Sequence, residues 1–406
     1  VPPMTNFDTS AAKKQACASI DALAEVLINA SHEIHANPEL NFKEHHAHDL
    51  LTSVLESNGL ETQRAAYGLD TAFEARAGSQ GPVIAVLCEY DALPDIGHAC
   101  GHNIIATAGL GAGLVLAPLA EQLGGQLRVL GTPAEEGGGG KVLMLQRGAF
   151  VDVNAAMMVH PAGSEVERIT SLAIEQLEVR YTGKASHAAA APEKGINALD
   201  GAVLGYNNIA ALRQHIAPDE RIHGIFTDGP AKANIVPHHA GANWYMRSPT
   251  RAGLAALKDR VVRCLEAGAL AAGCTMEYTW VERPYDDVID SRPLLEAYIA
   301  NAQSLGRDPR PESETAIVGS TDMGNVSYAV PSIHPMIKVA PEETAIHTVD
   351  FEQCAGGPQG DQGVIDGAKA MAMTVIDCWT KPEILADAET AFLTAGGVRA
   401  SGFATT

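Results

Sequence analysis

Apolar positions recur at helical spacing over residues 11–30 and continue through 31–40, where Asn37-Pro38-Glu39 stops the helix. A second helix is predicted over 42–58, closed by Gly59. Short apolar runs near 71–77 and 82–87 read as strands, and an almost unbroken apolar stretch, 104–120, reads as a buried helix. Strands at 126–130 and 155–159 follow, with a helix between them, so strand and helix alternate in the order of parallel crossover units. From 176 the pattern changes. Alternating segments at 176–181, 221–228, 239–247 and 275–282 interleave with helical ones at 197–216 and 252–272, the β-α-β-β-α-β order of a ferredoxin-like domain. The chain then returns to its first domain with a helix at 293–305, a loop at 319–325, a strand-like 333–339 and a closing helix at 363–379. The predicted class is α/β: a catalytic domain of residues 1–175 and 286–406 with a mixed, largely parallel sheet, interrupted by an inserted α+β domain of residues 176–285.

Composition narrows the function. The 406 residues suffice for one large or two ordinary domains, and 46% hydrophobic with 5% aromatic residues fits a soluble α/β enzyme. A formal charge of -21 argues against nucleic acid or anionic membrane as partner. Seven cysteines, an odd number without a Cys-x-x-Cys pair, argue against a disulfide framework. No basic-then-apolar leader is visible, so a cytoplasmic location is expected; Val1-Pro2-Pro3 reads as a processed or remnant end. The 104–120 run carries Gly109, Gly111, Gly113 and Pro118 and is short for a membrane span.

Chemistry gathers where strands end. After the 82–87 strand come Asp91, Cys100 and His102; after 126–130 come Glu135 and Glu136; after 155–159 comes His160. A parallel sheet brings such ends to one edge, where open α/β sheets keep their ligands. Cys100 and His102 can turn a thiolate and an imidazole toward one cation, a donor pair that suits zinc. Asp91 can accept the far N–H of a ligand histidine. Alone, Cys-x-His reads as a buried thiol beside a loop histidine; the further donors downstream turn the balance to a metal. Of the paired glutamates, one can bind the cation and the other can take a proton from water. The glycines 137–140 allow either a flexible loop or a close backbone approach. His45, His46 and His48 cannot share one helix face and are expected on the surface, while His32 and His35 stay unassigned. In the inserted domain His187, Asn234 and Arg247 each read as structural when taken singly, as does His347 near the end.

Taken together, Asp91-Ala92-Leu93-Pro94, Gly97-His98-Ala99-Cys100-Gly101-His102, Pro133-Ala134-Glu135-Glu136, Ser186-His187-Ala188, Asn234-Ile235-Val236-Pro237 and the late His347 resemble the M20 family of metallopeptidases and amidohydrolases. The likeness is to its aminoacylase-like branch, within it to the group of p-aminobenzoyl-glutamate hydrolase subunits and related dipeptidases, and it spans essentially the whole chain. It implies a zinc-peptidase-like catalytic domain with an inserted lid and dimerisation domain, a homodimer, and two divalent ions, zinc or manganese. Carried over, Cys100 bridges the ions, His102 and His160 complete one site, Glu136 and His347 the other, and Glu135 is the general base. His187 reaches the scissile carbonyl from a partner subunit, Asn234 and Arg247 contact the substrate carboxylate, and Ser320 and Thr321 shape the pocket. Glu89 stands where the wider family has the histidine of a His-x-Asp, which implies that this ligand has moved to His102. Asn103 replaces an aspartate, in keeping with the subgroup.

The expected activity is hydrolysis of the amide bond of a small N-acyl amino acid or dipeptide. Aryl amides, carbamates and aminobenzoyl-glutamate conjugates are alternative substrates for the same centre. A binding protein that keeps the fold and a cysteine-nucleophile enzyme built on Cys100 are the further alternatives.

Overall fold

The computed structural model describes residues 8–230, 232–281, 283–311 and 318–400, and it divides into two compact units, Val1–Thr170 with Val288–Thr406, and Ser171–Asp287. Val1-Pro2-Pro3 and position 282 of the predicted final strand lie outside the described residues.

The first unit is built on a six-stranded sheet. Strands β1 (Thr62–Arg64), β2 (Phe73–Ala77), β3 (Val83–Glu89), β4 (Gln126–Thr132) and β5 (Val153–Met157) and the two-residue strand Ser332–Ile333 take the order β1-β2-β4-β3-β5 and then Ser332–Ile333. The β2–β4 pair is antiparallel, whereas β3–β4, β3–β5 and β5 with Ser332–Ile333 are parallel. β3 is buried on both faces, which is why it is a continuous apolar run and not an alternating one. Ile84, Val86 and Cys88 face one core; Ala85 and Leu87 face a second, with Met144, Phe150, Met323 and Val326.

Helix α1 (Thr9–Ala36) begins at Asp8, whose carboxylate accepts the Ala11 N–H at 3.0 Å, and buries Ala12, Ala16, Ile20, Leu27 and Ile34. It ends before Pro38, as the sequence predicts. Helix α2 (His45–Ser57) buries Ala47, Leu51 and Leu55. It also buries His48, only 5% exposed, which corrects the expectation that all three histidines of this helix are solvated. Helix α3 (His102–Leu123) is apolar and long enough to cross a bilayer, but 89% of its apolar window is buried inside the protein, between α1, the sheet and the helix Pro358–Thr380.

Three local corrections matter for the site. His160, expected in the segment after the 155–159 strand, lies in a strand of its own, His160–Ala162, that pairs in parallel with Met336–Lys338. The strand-like 333–339 is accordingly two short strands in different sheets, with His334 and Pro335 between them. The 319–325 loop is partly helical, since Met323–Ser327 forms a short helix after Asp322. The helices Val349–Ala355 and Pro382–Thr394 have no counterpart among the predicted elements.

The second unit carries the order β-α-β-β-α-β: Ala173–Thr182, Ala198–Leu212, Arg221–Asp228, His239–Ser248, Arg251–Ala272 and Thr275–Trp280. Its antiparallel sheet runs Thr275–Trp280, Ala173–Thr182, His239–Ser248, Arg221–Asp228. Both helices pack on one face of this sheet around Tyr181, Trp244, Leu257 and Leu265, the ferredoxin-like arrangement.

Candidate active site

β3 and β4 end in register, Glu89 opposite Thr132, and β5 runs parallel beside β3, so the segments after all three strands emerge on one edge. Between Cys100 and His102 the chain turns at Gly101, with φ +76°. A Cβ there would lie 2.5 Å from Pro161 Cγ, so glycine is what lets these two donors approach the His160 strand. On the β4 side, Ala134 holds the left-handed conformation at φ +60°, and its N–H is anchored at 3.0 Å by the buried carboxylate of Glu44. Gly140 sits against the Pro133 carbonyl, where an added Cβ would lie 1.7 Å from the oxygen.

These turns bring the expected donors together. Cys100, His102 and His160 have ligand atoms within 4.8 Å of one another, and so do Cys100, Glu136 and His347, so Cys100 is common to both groups. A third group joins Glu89, His102 and Glu135. His102 Nδ1 donates to the Asp91 carbonyl at 2.8 Å, with the Asp91 carboxylate at 3.2 Å, while the other Asp91 oxygen accepts the Glu136 N–H at 2.8 Å. His160 Nδ1 donates to the Pro161 carbonyl at 2.8 Å. In both rings Nδ1 is thus the hydrogen-bond donor and Nε2 faces the centre. His160 Nε2 lies 3.5 Å from Cys100 Sγ. His347, itself at φ +65°, has its N–H bound to the Ala99 carbonyl at 2.8 Å and its Nε2 3.3 Å from Glu136.

The electrostatics suit a cation. His102 Nε2 lies 3.1 Å from Glu89 Oε1 and 3.8 Å from Glu136 Oε1, and the latter lies 3.3 Å from His347 Nε2, so imidazole nitrogens and carboxylate oxygens crowd one buried point. Burial opposes a charge on His102, but Glu89 and Cys100 outweigh it and raise the imidazole well above its usual range; positive charge is favoured here. Burial, followed by the charge on His102, pushes His160 down to about 3, leaving a neutral ligand. Burial works to raise Asp91, and the hydrogen bond and charge of His102 overcome it, keeping the carboxylate ionised. Glu135, 8% exposed, is pushed well above the carboxylate range by burial and then by Glu89 and Glu136. Sulfur, two imidazoles with fixed tautomers and a carboxylate form a donor set that fits transition-metal ions.

Several residues at this centre carry no signal in the sequence. Glu89 was expected only as the vacated ligand position, yet its carboxylate lies against His102 and is ion-paired with Lys141. Lys141 is wholly buried and also reaches Asp322 Oδ1 at 2.7 Å. Glu44 accepts from the Phe42 N–H at 2.9 Å, from the Ala134 N–H and from Thr71 Oγ1 at 2.8 Å, tying α2 to the glutamate loop. His334 packs edge-on against His160. A cavity of about 540 Å3 opens over the centre, walled by Cys100, Glu135, Glu136, His160 and His347, and Ser320, Thr321, Glu342 and Glu343 line it too. Its size is that of a small-molecule site. His187, Asn234 and Arg247 belong to the second unit. There His187 Nδ1 accepts the N–H groups of Ala189 and Ala190 at 3.3 and 3.1 Å, and Asn234 lies beside it through the Ala188 N–H to Asn234 carbonyl bond of 3.0 Å. Arg247 lies on the strand His239–Ser248, half-buried.

Residues 85–376 match the model of peptidase family M20/M25/M40. The chain belongs to the M20 peptidase family. Among its relatives is the Xaa-Arg dipeptidase of Mus musculus, 40% identical over 391 residues that cover 92% of this chain and 90% of the relative. A p-aminobenzoyl-glutamate hydrolase subunit of Escherichia coli is 34% identical over 64% of this chain and 58% of its own length. In structure, the M20 chain resembles a dinuclear metal-binding peptidase of the same family from Bacillus subtilis, with a TM-score of 0.70 at 20% identity over 88% of this chain and 99% of that one. This M20 protein is a metal-dependent hydrolase of amide bonds.

Proposed function

We propose that the chain hydrolyses dipeptides with a basic C-terminal residue, using two zinc or manganese ions that Cys100, His102, His160, Glu136 and His347 would hold. The sharing of Cys100 between two donor groups inside one cavity carries this reading. When bound, paired ions polarise the amide carbonyl and lower the pKa of the attacking water. Asp91 holds His102 in the ligating tautomer. Glu135 takes the proton from the water and returns it to the leaving amine nitrogen. Basic specificity rests on the 40% identity to the Xaa-Arg dipeptidase and on the carboxylate of Glu343 along the cavity, which suits a cationic side chain; that of Glu342 beside it is ion-paired with Arg310. His187, Asn234 and Arg247 are assigned to substrate contact on the family resemblance alone. The homodimer belongs to the same proposal, supported by exposed Ile225 and Phe226 on the edge strand Arg221–Asp228.

The test is to strip the purified protein with chelator, restore zinc or manganese singly, and assay Xaa-Arg and Xaa-Lys dipeptides, an N-acetyl amino acid, aminobenzoyl-glutamate and an aryl amide. Activity on the basic dipeptides that returns at about two metal equivalents is the expected result. Full activity without metal overturns the dinuclear reading, and preference for aminobenzoyl-glutamate or the aryl amide overturns the substrate class.

A further inference from the structure

We infer that His334 is a substrate-contacting residue of this centre, its ring N–H donating a hydrogen bond to an acceptor oxygen of the bound amide. The residue lies in the link between Ser332–Ile333 and Met336–Lys338, and the step of the chain from one sheet to the other carries the ring to the cavity wall. It is 1% exposed, and its ring meets that of His160 at 5.3 Å between centroids and 83° between planes. Both ring nitrogens are buried without a hydrogen-bond partner among the described residues. His334 also belongs to none of the three donor groups at the centre.

Leaving a buried polar atom unpaired costs stability, and an apolar ring of the same size would fill this space without that penalty. The imidazole therefore has a partner that arrives with the ligand. Protonated or neutral, it offers at least one N–H. The carbonyl and carboxylate oxygens of an amide substrate are acceptors only, so a hydrogen bond to either of them runs from His334 to the substrate. Cavity and centre lie on the same wall as the ring, which places the contact next to the reacting bond and not at a remote subsite.

The inference rests on the proposed reading that this cavity holds the amide substrate. It is tested with His334→Phe, which keeps a ring and removes the donor, and His334→Asn, which keeps an N–H. On the best substrate of the panel above, His334→Phe is expected to lower kcat/KM by about tenfold or more, with the zinc content per chain and the thermal midpoint equal to wild type or higher. His334→Asn is expected to recover part of that loss. Should phenylalanine not fit, His334→Leu gives the same comparison. Unchanged kcat/KM in the donor-free variant overturns the inference alone, as does loss of bound zinc, which would make the ring part of the metal centre. A wild-type protein that turns over no panel member overturns the functional reading and this inference with it.

Discussion

Ala134 and His347 both sit on left-handed backbone, at φ +60° and +65°, a conformation that costs a non-glycine residue about 1–3 kcal/mol and persists where surroundings impose it. Glu44 imposes it at Ala134 and the Ala99 carbonyl at His347. Downstream of Ala134 stands Glu135, and its replacement by glutamine removes the base while keeping the shape. Glu135→Gln is expected to lower kcat about 10²- to 10⁴-fold with metal content unchanged, as read by steady-state kinetics and metal analysis. Glu44 gives a prediction in pH. Burial, then the nearby Asp91 charge, raises it to about 7 from the ordinary 4.5. Between those values the native state holds a proton that the unfolded chain has released, so stability falls as pH rises through the window. Glu44→Gln is expected to flatten that decline, measured as denaturant midpoints at pH 5 and pH 8. Cys100, His102 and Glu135 were legible in the sequence because they cluster in short motifs at strand ends. Glu44, Lys141 and His334 are single polar residues without spacing, and what gives them meaning is a partner 90 or 181 positions away, such as Ala134 for Glu44 and Asp322 for Lys141.

Elements were legible in proportion to the strength of their pattern. β3, β4 and α3 are long apolar runs, and the strands of the second unit alternate cleanly, as Ala173–Thr182 does in its burial. Pro382–Thr394 buries only Ala388 and Phe392, too weak a stripe to read, and the 333–339 run looks like one strand because switching sheets leaves no mark on hydrophobicity. Two connections between elements can be tested. Gly101→Ala places a methyl against Pro161 at an unfavourable φ, and it is expected to destabilise the fold by about 1–3 kcal/mol and to weaken metal retention, both measurable on one purified variant. Lys141 joins the end of β3 to the turn before Met323–Ser327 through Glu89 and Asp322. Lys141→Met leaves both carboxylates buried without their cation, and a loss of about 3–5 kcal/mol in chemical denaturation is expected.

For the molecule as a whole, ions that bind the native centre and not the unfolded chain add stability through mass action. Chelation is therefore expected to lower the thermal midpoint, and zinc or manganese added back is expected to restore it by an amount that grows with metal concentration. α3 has a consequence for synthesis. Its cover includes Pro358–Thr380, which begins 235 residues after Leu123 (358 − 123). At about 5–20 residues per second, the ribosome exposes a greasy, glycine-studded helix for roughly 10 to 50 seconds before its lid of chain exists. During that interval the nascent protein looks like cargo for the membrane-insertion machinery, and a premature stop ahead of Pro358 would make that resemblance permanent, handing the fragment to chaperones and proteases.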